Sequence, residues 1–353
     1  MTRAPRVKSR LTVGVPGYLL SSDAASGAGK MWDRVLPGLS GLGVRLTAAP
    51  SRLDRVLGRR PDVWLTNGHL GPIEVDVPVV AHLHEAPWRE LDNDHFLDPA
   101  FAEASMRQSD AAAAQAARIV TPSEFSRRQI VETHGVVPDH VRAVHHGVDP
   151  TVFNPSRRDE GTRLVESRGG RSPYVVFVSV VHPRKNLAGL RAAMVKIIDQ
   201  GLPHGLVMVL SPAGDRPDSS ELFAEATSEL PGHPGRVLSL TGLTEGEVAA
   251  VIAGADALCA PSWSEGFGFA ALEGMASGVP VVVSNRGALP EVVGGAGIVT
   301  EPESDAIAAA LLSVLNDDQR AADVGAAGLE RSHEFSWGAT AAGWLRVLEE
   351  AVS

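Results

Sequence analysis

The sequence predicts two doubly wound α/β domains. Short apolar runs alternate with longer helical stretches along the whole chain. Most of the runs are continuous and β-branched rather than alternating with polar residues, as in parallel strands covered on both faces. The alternation occurs twice, on either side of a polar stretch with no strand pattern. A length of 353 residues agrees, at roughly 100–200 residues per domain.

In chain order, residues 11–15, 63–66, 77–83, 119–121 and 141–145 are the expected strands of the first half. Those of the second are 174–181, 206–211, 237–240, 257–260 and 280–284. Residues 149–173, rich in Arg, Glu, Gly, Ser and Pro, are expected to form a linker with a surface excursion. Thr121, Pro122 and Glu124 have the spacing of a capping box, with the hydroxyl of Thr121 at the N-cap, worth about 1 kcal/mol. Gly278 is an expected helix C-cap, and Pro280 stops the helix from continuing. Trp337, Ala341, Trp344, Leu345 and Leu348 have helical spacing, so the last segment is an amphipathic helix that must dock.

Composition excludes several classes. Hydrophobic residues are 44% and charged residues 21%, which rules out disorder. Acidic residues outnumber basic ones, 42 to 32, for a net charge of −10; nucleic-acid binders show a basic footprint instead. Cys259 is the single cysteine, so no internal disulfide forms and a reducing compartment is expected. Its apolar neighbours predict a buried, inert thiol. No apolar run approaches the ~18 residues of a membrane span. Arg3, Arg6, Lys8 and Arg10 precede an apolar run broken at Gly14, Pro16 and Gly17, which is not a signal peptide. The basic start is a solvated tail, with weak peripheral attraction to an anionic membrane as the alternative. The expected location is cytoplasmic, up to the inner face of the membrane.

Five stretches carry candidate chemistry. In 261–273, PSWSEGFGFAALE, Gly266 and Gly268 permit close backbone approach, and a helix starting near Phe269 aims free N–H groups at the loop. Glu265 and Glu273 flank this anion site. Either they bind neutral hydroxyls of a sugar or ribose, or they are a solvated loop carboxylate and a helix-dipole carboxylate. The run His182-Pro183-Arg184-Lys185-Asn186 follows a strand and is a second anion site or a solvated basic turn. In 79–88, VVAHLHEAPW, His82 is expected in the core and His84 at a working strand end. A zinc site needs three or four ligands, and no completing set is evident in the sequence, so no metal is expected. Ser26-Gly27-Ala28-Gly29-Lys30 lacks the P-loop spacing and is expected to be a flexible loop at a cleft. Residues 144–149, with His145 and His146, close the first domain as a turn.

Together these stretches resemble the retaining glycosyltransferases of family 4, with their E-x7-E pattern at Glu265 and Glu273. Residues 177–187, 280–302, 26–30, His84-Glu85, 121–127, 146–149 and 335–337 follow further landmarks of that family in order, so the resemblance covers nearly the whole chain. It implies the GT-B fold: two Rossmann-like domains facing a central cleft, at residues 1–155 and 173–334 with a linker at 156–172. The last helix, within 335–353, crosses back to the first domain. It implies a retaining hexosyltransferase that takes a UDP- or GDP-sugar donor to a glycan, lipid-linked glycan or small-molecule acceptor, with no cofactor and no metal. In that assignment His84 lies by the anomeric carbon and Glu265 contacts the donor sugar. Arg184 and Lys185 neutralise the departing diphosphate, joined by N–H groups near Phe269 and Ala270. Glu273 binds the ribose, and Gly266, Phe267 and Gly268 shape the donor loop. Gly242 and Leu243 border the nucleobase, and Gly27 and Gly29 let the glycine loop approach the diphosphate and acceptor. Three positions depart from the pattern: Glu85 for Asp, Ser179 for Gly, and Met31 for an aromatic beside the acceptor. Two other readings are a non-catalytic GT-B subunit supporting a partner transferase, and a GT-B-like phosphorylase or epimerase. Residues 88–108, with Trp88, Phe96 and Phe101, line an acceptor groove or pack locally.

Overall fold

The computed structural model describes residues 11–20, 27–48, 60–86, 99–211 and 219–353. These form two six-stranded sheets, parallel throughout. The first contains β1 (Thr12–Gly14), β2 (Arg45–Thr47), β3 (Val63–Asn67), β4 (Val79–His82), β5 (Arg118–Thr121) and β6 (Val141–Ala143), in the order β2-β1-β3-β4-β5-β6. The second contains β7 (Tyr174–Val180), β8 (Gly205–Ser211), β9 (Val237–Leu240), β10 (Ala257–Ala260), β11 (Val281–Ser284) and β12 (Ile298–Thr300), in the order β12-β11-β10-β7-β8-β9. Each order reverses once, between β1 and β3 and between β7 and β10. In open α/β sheets such a reversal leaves a crevice at the carboxyl ends of the strands.

Each predicted strand is present. The two strands absent from the expectation, β2 and β12, are sheet edges three residues long. Both are partly exposed, and β12, Ile298-Val299-Thr300, has the same Ile-Val-Thr run as 119–121, yet the expectation omits it.

The expected linker contains a helix, Arg158–Ser167, which buries only Gly161 and Val165. It lies against the helix Glu245–Ala253, so close that a Cβ on Gly161 would stand 1.8 Å from the Ala250 carbonyl oxygen. A helix docked through a glycine needs few apolar residues, here Leu164 and Val165, which is why the segment looks like a linker in sequence. A second correction concerns the cap at 121. Thr121 ends β5 in register with Ala143, and the N-cap is Ser123, whose Oγ accepts from the Ser126 N–H ahead of the helix Glu124–His134. Strand pairing holds Thr121 extended, so the helix starts two residues later than expected.

The terminal helix, Trp337–Ala351, packs on the helix Gly27–Gly41 and on β4 and β5. Trp344, Val347 and Leu348 complete the core of the first half with Trp32, Val35 and Leu39. Met31 belongs to the same core and is fully buried, so it does not face an acceptor. Gly278, at φ 69°, follows the helix Phe269–Ala276 in the expected left-handed terminating position. Cys259 is buried, and burial pushes its thiol well up. Among the described residues no helix is long and apolar enough to cross a membrane. Arg3, Arg6, Lys8, Arg10, Ser26, Trp88 and Phe96 lie outside the described residues, as does the side chain of Phe101.

Candidate functional site

A cavity of about 1180 Å³ opens between the carboxyl edges of the two sheets. Its second-half wall is built from the turns after β7 and β10, the two strands that flank the order reversal. After β7, His182 caps a 3-10 turn, Pro183–Lys185, by accepting from the Arg184 N–H. Asn186 then takes a left-handed conformation, φ 56°. Its side chain donates to the Pro261 and Pro302 carbonyls and caps the helix Leu187–Asp199. The basic turn is thereby fastened to the Glu265 loop.

The charges form one network. Lys185 Nζ donates to Glu265 Oε1 at 2.6 Å, and Ser262 Oγ donates to the same oxygen at 3.1 Å. Arg184 donates to the Ser264 carbonyl at 2.9 Å and lies 3.8 Å from Glu265. Burial works against the Glu265 charge, but Lys185 and Arg184 outweigh it and hold the carboxyl below its ordinary range. Burial and Arg184 draw Lys185 below its ordinary value, against Glu265 and Glu85. From the first half, Glu85 comes within 3.2 Å of Arg184. The departure from Asp at this position supplies the longer side chain that bridges the cleft.

The loop between the two glutamates brings the halves together. A Cβ on Gly266 would stand 2.8 Å from the His84 carbonyl oxygen, so no larger residue fits without moving backbone. The Gly266 carbonyl accepts from both Ser123 and Ser126 hydroxyls of the first half, at 2.7 and 3.0 Å. Gly268, at φ 106°, starts the helix Phe269–Ala276, whose first N–H groups have no acceptor within the helix.

His84, Arg184, Lys185, Gly242, Leu243, Glu265, Gly266, Phe267, Gly268, Phe269, Ala270 and Glu273 all line this one cavity. Gly29 is not among the residues that line it. Gly27 and Gly29 fall in the first turn of the helix Gly27–Gly41, where a flexible loop was expected. Lys30 in the same turn does reach the cavity, donating to Glu273 at 2.6 Å across the cleft. Burial pushes the Glu273 carboxyl up, with Lys30 opposing. Lys30 is held above its ordinary value by Glu273, against the effect of its own burial. Nothing in the sequence signals this pair, whose members are 243 positions apart. The same holds for Arg34, which bridges Asp149 and Glu245 at 3.0 and 2.9 Å, and for Glu291. The Glu291 carboxylate accepts from the Glu124 and Phe125 N–H groups, which start a helix of the first half, and lies 2.7 Å from His145 Nε2.

The first-half wall is rich in histidine. The His84 N–H donates to His69 Nε2, while His69 Nδ1 pairs with Ser109 Oγ. Burial and Arg184 push His84 down to about 4, so its ring is neutral at pH 7. His82 is fully buried, as expected of a core histidine. His146 lines the cavity, stacked on Phe269 with ring centroids 4.9 Å apart.

The comparisons with known proteins agree with this architecture. Residues 22–152 match the family described as Glycosyltransferase Family 4, and residues 172–317 match Glycosyl transferases group 1. The chain is 32% identical over 247 residues to the MMP alpha-(1->4)-mannosyltransferase of Mycolicibacterium hassiacum, covering 68% of this chain and 56% of that protein. It is 30% identical over 221 residues to O-antigen chain mannosyltransferase B of Escherichia coli, covering 62% and 57%. It thus spans little more than half the length of these curated relatives. Its fold matches the sucrose-phosphate synthase of Thermosynechococcus elongatus with a TM-score of 0.79, at 17% identity over 96% of this chain and 98% of that one. It also matches Anabaena HepE, crystallised with UDP and glucose, with a TM-score of 0.73, at 19% identity over 96% and 100%. Two parallel six-stranded sheets facing a charged cleft have the GT-B arrangement, and the chain belongs to the group 1, family 4 glycosyltransferases.

Proposed function

We propose that this protein is a retaining glycosyltransferase that moves a hexose from a nucleotide-diphospho-sugar to a sugar-containing acceptor. One observation carries the reading. Arg184, Lys185, the loop 261–268 and the start of the helix Phe269–Ala276 converge at the order reversal of the second sheet, opposite His84. Breaking the bond to a nucleoside diphosphate places negative charge on the leaving oxygen. Arg184, Lys185 and the helix N–H groups stabilise that charge in place, so the departing diphosphate needs no divalent cation. Glu265, held ionised by Lys185, accepts from donor-sugar hydroxyls. Glu273 exchanges Lys30 for the ribose hydroxyls when donor enters. Gly242 and Leu243 border the base. The relatives' mannosyltransferase names and the UDP held by the HepE structure support a nucleotide-sugar donor. A catalytically idle subunit has no chemical need for all of these groups at once.

The test is calorimetric titration with UDP and with GDP. One nucleotide binds selectively, and EDTA leaves its affinity unchanged. Glu273→Ala removes a charge-assisted hydrogen bond worth roughly 1.5–3 kcal/mol, a loss of about ten- to a hundredfold in affinity. Unchanged affinity in a folded Glu273→Ala variant overturns the assignment of Glu273. Proton NMR of the transfer product reads the anomeric configuration, which is retained under this proposal.

A further inference from the structure

Where β4 ends, side chains take over from the sheet in holding the chain. The Leu83 N–H still donates to the Val120 carbonyl of β5, at 3.0 Å. Beyond it, the His84 N–H donates to His69 Nε2 at 3.0 Å, and the Ala86 N–H to Gln129 Oε1 at 2.5 Å. His69 is itself well fixed. It is the middle residue of the 3-10 turn Gly68–Leu70 after β3, and the Asn67 side chain caps that turn by accepting from the His69 N–H at 3.2 Å. A Cβ on Gly68 would stand 2.6 Å from Leu83 Cδ2, so the turn is pressed against the end of β4. The His69 and His84 rings stack, 18° from parallel with centroids 5.5 Å apart, and both line the cavity.

A backbone N–H can only donate, so the His69 Nε2 that faces it is the unprotonated nitrogen. The proton of the neutral ring is then on Nδ1, and Ser109 Oγ accepts it, 3.1 Å away on the helix Pro99–Gln115. Ser109 is fully buried, which shields this bond from bulk water. Burial, with His84 beside it, pushes His69 down to about 3, so the ring is neutral at pH 7. We infer that His69 is a positioning residue for His84: its Nε2 holds the His84 N–H, and Ser109 fixes the tautomer that makes Nε2 the acceptor. The inference rests on the reading that His84 lies by the anomeric carbon. His84 also meets the donor loop, since a Cβ on Gly266 would stand 2.8 Å from its carbonyl oxygen. A shift of His84 therefore moves both its ring and the surface against which that loop rests. A misplacement of about 1 Å at a reacting centre costs on the order of a hundredfold in rate. His69 lies 15 positions from His84 and 40 from Ser109, so the sequence does not link the three.

The experiment has two readouts. The first is long-range proton–nitrogen NMR of the full chain carrying isotope-labelled histidine, with His69 assigned by its absence from His69→Gln. The expected result is the neutral Nδ1–H tautomer of His69 at neutral pH. The Nε2–H tautomer or an imidazolium overturns the proposal, and no active variant is needed to see it. The second is turnover, read as nucleoside diphosphate released from UDP- and GDP-sugars. His69→Ala, checked for folding by circular dichroism, is expected to lower kcat by about tenfold or more. Calorimetry should find the nucleoside diphosphate bound as in the wild type, because the proposed diphosphate groups are on the opposite wall. His69→Gln, whose Oε1 accepts the same N–H, should recover most of the loss. In a His84→Ala background, His69→Ala should cost nothing further. Full kcat in a folded His69→Ala, equal losses in the Ala and Gln variants, or losses that add in the double variant each overturn the proposal and leave the role of His84 standing. Full kcat in His84→Ala instead removes His84 from the reaction, and this proposal with it.

Discussion

Glu273 shows how one buried carboxylate depends on one distant cation. It is 4% exposed and its described ion-pair partner is Lys30. Lys30→Met leaves the carboxyl without that partner and raises it further. A carboxyl raised in the folded state keeps a proton that the unfolded chain has released, so stability falls as pH rises above the ordinary carboxylate range. The variant is therefore less stable than the wild type by about 1.5–3 kcal/mol at neutral pH. The deficit shrinks as pH falls towards about 4. Urea unfolding of both proteins across that range measures it, and a pH-independent deficit contradicts the assignment. The fully buried Met31 teaches a related point: family resemblance places it beside an acceptor, yet the side chain points into the core.

The helix Glu124–His134 begins with N–H groups that its own turn cannot satisfy. Glu291, from a short helix of the second half, accepts from two of them. Burial works against the Glu291 charge, but the His145 hydrogen bond and these two N–H groups hold its carboxyl below the usual range. Glu291→Ala removes these contacts between halves and should cost about 1–2 kcal/mol, allowing for partial exposure. The effect is present at neutral pH and fades in acid, because a depressed carboxyl contributes stability only until it protonates. Denaturant titrations at neutral and acid pH distinguish this from simple loss of packing, which is pH-independent. The buried strands β3, β4, β7, β8, β10 and β11 are readable from sequence because burial on both faces demands continuous apolar residues. The helix Arg158–Ser167 and the edge β2 are not readable as buried elements, because a glycine contact and a partly exposed edge leave no continuous apolar run.

The chain crosses between its halves more than once, and its final helix returns to the first. Trp344 is fully buried there against Trp32 and His82, with ring centroids 5.3 and 5.4 Å away. Trp344→Ala leaves a cavity at the meeting of the first and last long helices and should cost about 3–5 kcal/mol, measured by urea unfolding. Gly147 lies so close to this junction that a Cβ would stand 2.2 Å from the Trp337 nitrogen. The junction is thus close-packed through backbone as well as side chains.

Composition, strand patterning and the order of motifs along the chain suffice for the fold class and most of the second-half cavity wall. These are local properties: a buried strand, a turn after it and a helix start each leave their mark within about ten residues. Tertiary structure alone supplied the partners: Lys30 for Glu273, Glu85 for Arg184, and Glu291 for a helix start. Each joins residues far apart in the chain, and the sequence of either member carries no record of the other's position. Charge and hydrogen-bond capacity are written residue by residue, but which groups cancel or complete one another depends on distance, and only the folded chain sets that.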